Sequence, residues 1–130
     1  MIDIATLTGA VLMSLGSIGG AAMFNNKNLR AKLLTAAAQS GEPMWELPLW
    51  PEFEKEINSS VADLKNITSP GVKAGTITAG IFLKAFVGKT PWCHLDIAGT
   101  GWDCKALGFP QRGGSGFAVR TLSQVCLDWS

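Results

Sequence analysis

The segment Met1–Leu7 (MIDIATL) constrains the fold of this chain more than any other. It is short, apolar and β-branched, and it stops at the turn signal Thr8-Gly9, so it reads as a buried strand. A central strand needs hydrogen-bonding neighbours on both sides, and nothing before Met1 supplies one. A second buried strand is read at Trp92–Ala98. Between Gly9 and Gly20 the pattern is ambiguous: a short apolar helix or a strand, broken by glycines.

Helices fill the space between. Asn25-Asn26 offers an N-cap, and from Lys27 to Gln39 the positions Leu29, Leu33, Ala36 and Ala37 share one helical face before Gly41 ends the run. Pro43 to Pro51 (PMWELPLWP) holds three prolines, which excludes regular helix. It is expected to be a packed connector anchored by Trp45 and Trp50. Glu52 to Asn58 could start another helix, with Glu52, Glu54, Lys55 and Glu56 as its solvated face. Ala74–Val87 reads as a buried helix through Ile77, Ile81 and Ala85. Gly99–Gly116 reads as loop, and Phe117–Trp129 as an amphipathic helix through Leu122, Val125, Cys126 and Trp129. Strands alternating with helices predict an α/β fold without an internal domain boundary.

Charged residues make up 16% of the chain, whereas soluble domains average about 25%. With 47% hydrophobic residues, this predicts that much of the surface is buried against other protein. Net charge is +1 and no basic run is interleaved with aromatics, which argues against a nucleic-acid partner. Ile2–Phe24 is mostly apolar but holds four glycines and an early Asp3, a poor pattern for a membrane span or a signal peptide. Cys93, Cys104 and Cys126 show no CxxC spacing, so reduced thiols in a cytoplasmic protein are expected.

The sole histidine lies in the second strand, where the period of two puts His94 and Asp96 on one face. The pair could supply two metal ligands, with a third from Asp103, Cys104 or elsewhere. The plainer reading is a buried histidine hydrogen-bonded to a neighbour, with Asp96 capping a turn or pairing a base. There is no Gly-x-Ser-x-Gly elbow, and Cys93 and His94 face opposite ways, so no nucleophilic triad is indicated. Gly16–Gly20 and Gly113–Gly116 lack the Gly-Lys-Ser/Thr of a phosphate loop and read as tight turns. The five tryptophans (Trp45, Trp50, Trp92, Trp102 and Trp129) read as core and interface packing.

Eight collinear blocks carry a resemblance over essentially the whole chain. They run from Asp3-Ile4-Ala5-Thr6-Leu7-Thr8-Gly9-Ala10 through Phe24-Asn25-Asn26 and Gly41-Glu42 with Trp45, Leu47, Pro48 and Leu49. Ala62-Asp63-Leu64-Lys65-Asn66-Ile67, Ala74-Gly75 with Ile77-Thr78-Ala79, and Phe82-Leu83-Lys84 with Phe86-Val87 follow. The strongest is Trp92 with His94-Leu95-Asp96-Ile97-Ala98-Gly99-Thr100. Gly114-Ser115-Gly116-Phe117 and Val119-Arg120-Thr121-Leu122 complete the set. In this order and spacing the chain resembles the leucyl (cytosol) aminopeptidase family.

The resemblance implies an α/β fold: a partial mixed sheet flanked by helices, with residues 1–130 as the C-terminal portion of a larger metallo-aminopeptidase catalytic domain. Family members are cytoplasmic hexamers that release Leu-like N-terminal residues from peptides. They use two divalent metals, Zn or Mn, which polarise the carbonyl and activate a water. The family's metal ligands, catalytic Lys and bicarbonate-binding Arg precede the Asp-Ile-Ala-Thr-Leu-Thr-Gly strand, so none has a counterpart here and the metal-binding half is expected on other polypeptide. Thr6, Gly9 and Ala98 match positions lining the pocket for the substrate's first side chain. Leu7 matches one whose backbone contacts substrate and bicarbonate. Gly101 stands where relatives usually carry Ala or Met, which implies a roomier pocket. The alternative is a non-catalytic binding or assembly subunit lacking the metal site.

Overall fold

The computed structural model describes residues 1–103 and 112–129. Cys104 and the central part of the expected loop Gly99–Gly116 lie outside the described residues. The elements in order are β1 (Ile2–Ala5), α1 (Ala10–Leu15), β2 (Gly20–Phe24), α2 (Lys27–Ser40) and β3 (Met44–Glu46). A 3-10 helix (Pro51–Ile57), α3 (Gly75–Lys84), β4 (Cys93–Asp96) and α4 (Val119–Leu127) follow. The four strands form one mixed sheet in the order β1-β4-β2-β3. β1 runs parallel to β4 with Ile2 opposite Cys93 and Ala5 opposite Asp96, and β2 runs parallel to β3. β2 and β4 are antiparallel, with Met23 opposite His94. The expected α/β class and mixed sheet are what the chain adopts.

The two sheet faces differ in chemistry because side chains alternate along each strand. Cys93, Leu95 and Ala22 point toward α2 and α4 and form the apolar core with Leu29, Leu33, Ala36, Phe117 and Val125. Ile2 and Ile4 of β1 pack against the same cluster. The opposite face carries Asp3, His94 and Asp96, and Met23 packs there against α3. A Cβ at Gly80 of α3 would overlap the Met23 sulfur, so a larger residue there would force the buried Met23 side chain to move.

Local signals explain the helices. The Asn26 side chain accepts the Leu29 N–H at 2.9 Å, and Gly41 closes α2 in the left-handed region at φ +66°. Buried Glu42 then caps α4 from a distance: its Oε2 accepts the Thr121 N–H at 2.9 Å and the Thr121 hydroxyl at 2.7 Å. This joins the end of α2 to the start of α4.

β1, expected as a buried strand, is a half-buried edge strand among the described residues. One ambiguity is resolved, the connector is corrected and one helix is refined. The ambiguous segment is a helix, Ala10–Leu15, and a further strand, β2, begins at Gly20 and occupies the sheet interior. The proline-rich connector is partly strand, since Met44–Glu46 pairs with β2, and its tryptophans do not anchor it. Trp45 and Trp50 are 69% and 57% exposed. Of the five tryptophans only Trp92 is in the core, and Trp129 lies on the surface under the Lys32 ammonium at 4.8 Å. Glu52–Asn58 is helical, but as a 3-10 turn set from Pro51 to Ile57 rather than an α-helix.

Candidate functional site at the tips of two parallel strands

β1 and β4 are adjacent and parallel, so their carboxyl ends lie side by side, and open α/β sheets bind ligands beyond such ends. β4 ends at Asp96, which is fully buried. Asp96 Oδ1 accepts two backbone N–H groups, from Leu7 at 3.1 Å and from Ala98 at 3.2 Å. Its Oδ2 accepts the Thr8 hydroxyl at 2.6 Å. Thr8 has one hydroxyl hydrogen, committed to Asp96, so Thr76 of α3 is the donor in the 3.0 Å contact between the two threonines. Thr8 Oγ1 also accepts the Val11 N–H at the start of α1, at 3.3 Å. One carboxylate thereby ties the turn after β1, the turn after β4, α1 and α3 together.

The residues singled out from the sequence fall around this tie. Thr6 and Leu7 continue β1 past its last paired residue and are solvent-accessible. Leu7 and Gly9 line a hollow of about 530 Å³, whose far wall is Ala79 and Phe82 of α3 with Ile57 and Ile67. Ala98 sits across Asp96 from Leu7 and does not line that hollow. Gly101 lies against Thr6: a Cβ there would meet the Thr6 methyl at 3.0 Å and the Ile97 carbonyl at 3.1 Å. The five positions therefore share one end of the sheet, with Leu7 and Gly9 on the hollow, Thr6 and Gly101 in mutual contact, and Ala98 held beside Leu7. Phe82, Ile57 and Ile67 were not legible as site residues. They come from separate segments, and nothing in their spacing marks a shared wall.

A second polar cluster lies deeper on the same face. His94 is fully buried and its Nδ1–H donates to Asp3 Oδ1 at 2.5 Å, while Trp92 Nε1–H donates to Asp3 Oδ2 at 2.5 Å. Trp92 stacks on the imidazole with ring centroids 6.4 Å apart. Among the described residues His94 Nε2 has no hydrogen-bond partner. The plainer reading of His94 and Asp96 holds: one is bonded to a neighbour and the other caps turns. On the opposite face, burial and the nearby Asp3 carboxylate push the Cys93 thiol far above its ordinary value. It is a protonated core group rather than a nucleophile.

The family model of the cytosol aminopeptidase family, catalytic domain, matches residues 1–123. The chain belongs to this family. A "Probable cytosol aminopeptidase" of Desulforapulum autotrophicum is 48% identical over 130 residues, covering 99% of this chain and 25% of that protein. A relative of the same description from Roseiflexus castenholzii is 44% identical over 131 residues, covering 100% of this chain and 26% of its own length. One from Geobacter sulfurreducens is 49% identical over 122 residues, covering 94% and 24%. The chain thus spans about a quarter of the length of these relatives.

Metals implied by the family find no home among the described residues. No group of three or more His, Cys, Asp or Glu there could hold a metal ion. Asp3 and Asp96, the two acids nearest the site, are already committed to protein donors. Among the described residues, no helix is long and apolar enough to cross a membrane.

Proposed function

We propose that this chain supplies the substrate-side wall of a metallo-aminopeptidase that releases Leu-like N-terminal residues from peptides. On this reading residues 1–130 are the C-terminal portion of the catalytic domain. The two divalent metals, Zn or Mn, are held by polypeptide outside the chain, and the assembly is a cytoplasmic hexamer. The observation that carries the reading is the joining of the β1 and β4 tips by Asp96 beside an apolar hollow, in a chain of this family. The hollow of about 530 Å³ is ample for an aliphatic side chain. Its walls supply apolar contact, worth about 1.5–3 kcal/mol for a buried Leu-sized group. The Leu7 N–H is spent on Asp96, so a substrate contact through the Leu7 backbone would use its carbonyl, which accepts.

The chemistry of hydrolysis belongs to the metals, and the residues here bind and orient the substrate. The test is the complete natural polypeptide loaded with Mn or Zn and offered leucine amide. Release of leucine supports the reading, and none under either metal refutes it. The second reading, a non-catalytic binding or assembly subunit, draws on the absence of a ligand group among the described residues. The coding sequence immediately upstream separates the two. An in-frame Asn-Thr-Asp-Ala-Glu-Gly-Arg segment supports the enzyme, and its absence supports the subunit.

A further inference from the structure

We propose that Asp96 is a positioning residue for substrate selection. It fixes the position of the Leu7–Gly9 turn, and so the strand-tip wall of the hollow that receives the first side chain. The proposal rests on the aminopeptidase reading and deepens it.

The argument begins with what Asp96 touches. A buried aspartate that merely capped one turn would bond one or two N–H groups a few residues away. Asp96 does this for Ala98, but its other two partners, Leu7 and Thr8, are 89 and 88 residues away in sequence. All three lie at the site end of the sheet, and two of them, Leu7 and Thr8, line the hollow. Through Thr8 the carboxylate also reaches Val11 and Thr76, which fixes α1 and α3 relative to the same turn. No backbone hydrogen bond of the β1–β4 ladder can do this, because the paired register ends at Ala5 and Asp96. Beyond it only the Ile97 N–H to Ala5 carbonyl bond continues the pairing, at 2.9 Å. The tip of β1 is otherwise exposed, so the carboxylate decides where it sits.

Contrast Glu42, equally buried. It bonds Thr121 and Arg120 and so holds α4, on the apolar side of the sheet, without touching the strand tips. Removing either acid should cost stability, but only Asp96 should alter which side chain is preferred. Displacing a binding group by about 1 Å can cost about 100-fold in rate.

The experiment compares Asp96→Ala, Asp96→Asn and Glu42→Gln in the complete metal-loaded polypeptide, each measured on the folded fraction. Leucine amide and alanine amide are the substrates. Hydrogen exchange is read over residues 5–9 and 97–99. We expect Asp96→Ala to lower kcat/KM for leucine amide about 100-fold and to erode the leucine-over-alanine ratio. Exchange should quicken in both segments. Asp96→Asn keeps an acceptor for Leu7 and Ala98, and its amide can donate to Thr8 while Thr8 donates to Thr76. It should therefore restore most of the ratio while still falling measurably below wild type. Glu42→Gln should leave the ratio and both segments unchanged. If Asp96→Ala does not fold, Asp96→Asn decides alone: a wild-type ratio together with wild-type exchange overturns the proposal. It is equally overturned if Asp96→Ala behaves as Glu42→Gln does. If the wild type cleaves neither amide, the functional reading fails and exchange alone tests the positioning role.

Discussion

Asp96 accepts the backbone N–H of Leu7 at 3.1 Å although 89 residues separate them, and this bond turns two strand ends into one rim. The energetics explain why the contact is kept. A buried carboxylate without partners is costly, whereas one that receives two N–H groups and a hydroxyl is satisfied, each bond to a charged group contributing about 1.5–3 kcal/mol. The following outcomes are expected.

Gly99 lies in the turn after β4, and a Cβ there would overlap the carbonyl of Gly16, with Ser17 Cα close behind. Both obstacles are backbone and cannot swing aside. Gly99→Ala should therefore destabilise the protein by about 1–3 kcal/mol. Gly9→Ala, at a position with open space and φ −68°, should be nearly silent. Urea unfolding of the two variants in the complete polypeptide checks the contrast, and equal midpoints would contradict it.

Cys93 is fully buried, and burial followed by the Asp3 carboxylate raises its pKa well above the ordinary value of 9.0. The unfolded chain loses this proton above about pH 9 while the folded chain keeps it. The group therefore contributes nothing below that pH, and stability falls as pH rises beyond it, by about 1.4 kcal/mol per unit. Cys93→Ala should flatten this alkaline slope relative to wild type. Exposed Cys126 should react with a thiol reagent in the native protein, and Cys93 should not.

Among the described residues β1 pairs only with β4, which leaves its outer edge open, and Met1 and Leu7 are 56% and 41% exposed. Open edges beside apolar side chains recruit further strands. The 130-residue chain alone is expected to self-associate, read as a sedimentation coefficient above that of a 13.8 kDa monomer. A stable monomer would count against the edge argument.

How much of this was legible follows from residue type. β1 alternates Ile2 and Ile4 with Asp3, β4 alternates apolar Cys93 and Leu95 with polar His94 and Asp96, and α2 carries its own cap and stop, so these elements could be read directly, although among the described residues β1 is a half-buried edge strand rather than the buried one expected. β2 could not. Its sequence GAAMF holds no β-branched residue and no apolar–polar alternation, because it is buried on both faces. Gly20 shows the same constraint, since a Cβ there would lie 3.0 Å from the Phe117 ring. β3 hid among prolines, which an edge strand tolerates at its borders. Trp45 looked like an anchor because large aromatics usually bury, yet its side of the sheet edge faces solvent. At the site, Thr6, Leu7, Gly9, Ala98 and Gly101 were marked by resemblance alone. Asp96 could be read as a turn cap sharing a face with His94, but its partners 88 and 89 residues distant leave no trace in local spacing.

The most direct test fills the hollow. Gly9 lines it, has no heavy atom within 4 Å of a built Cβ and sits at φ −68°, so a larger side chain is accommodated by the backbone. In the complete metal-loaded polypeptide, Gly9→Leu should fold normally and lose kcat/KM for leucine amide by about tenfold or more, the discrimination expected of one apolar pocket group. Alanine amide should be far less affected. Unchanged leucine-over-alanine preference in a folded Gly9→Leu protein would contradict the claim that the hollow beside the β1 tip receives a peptide's first residue.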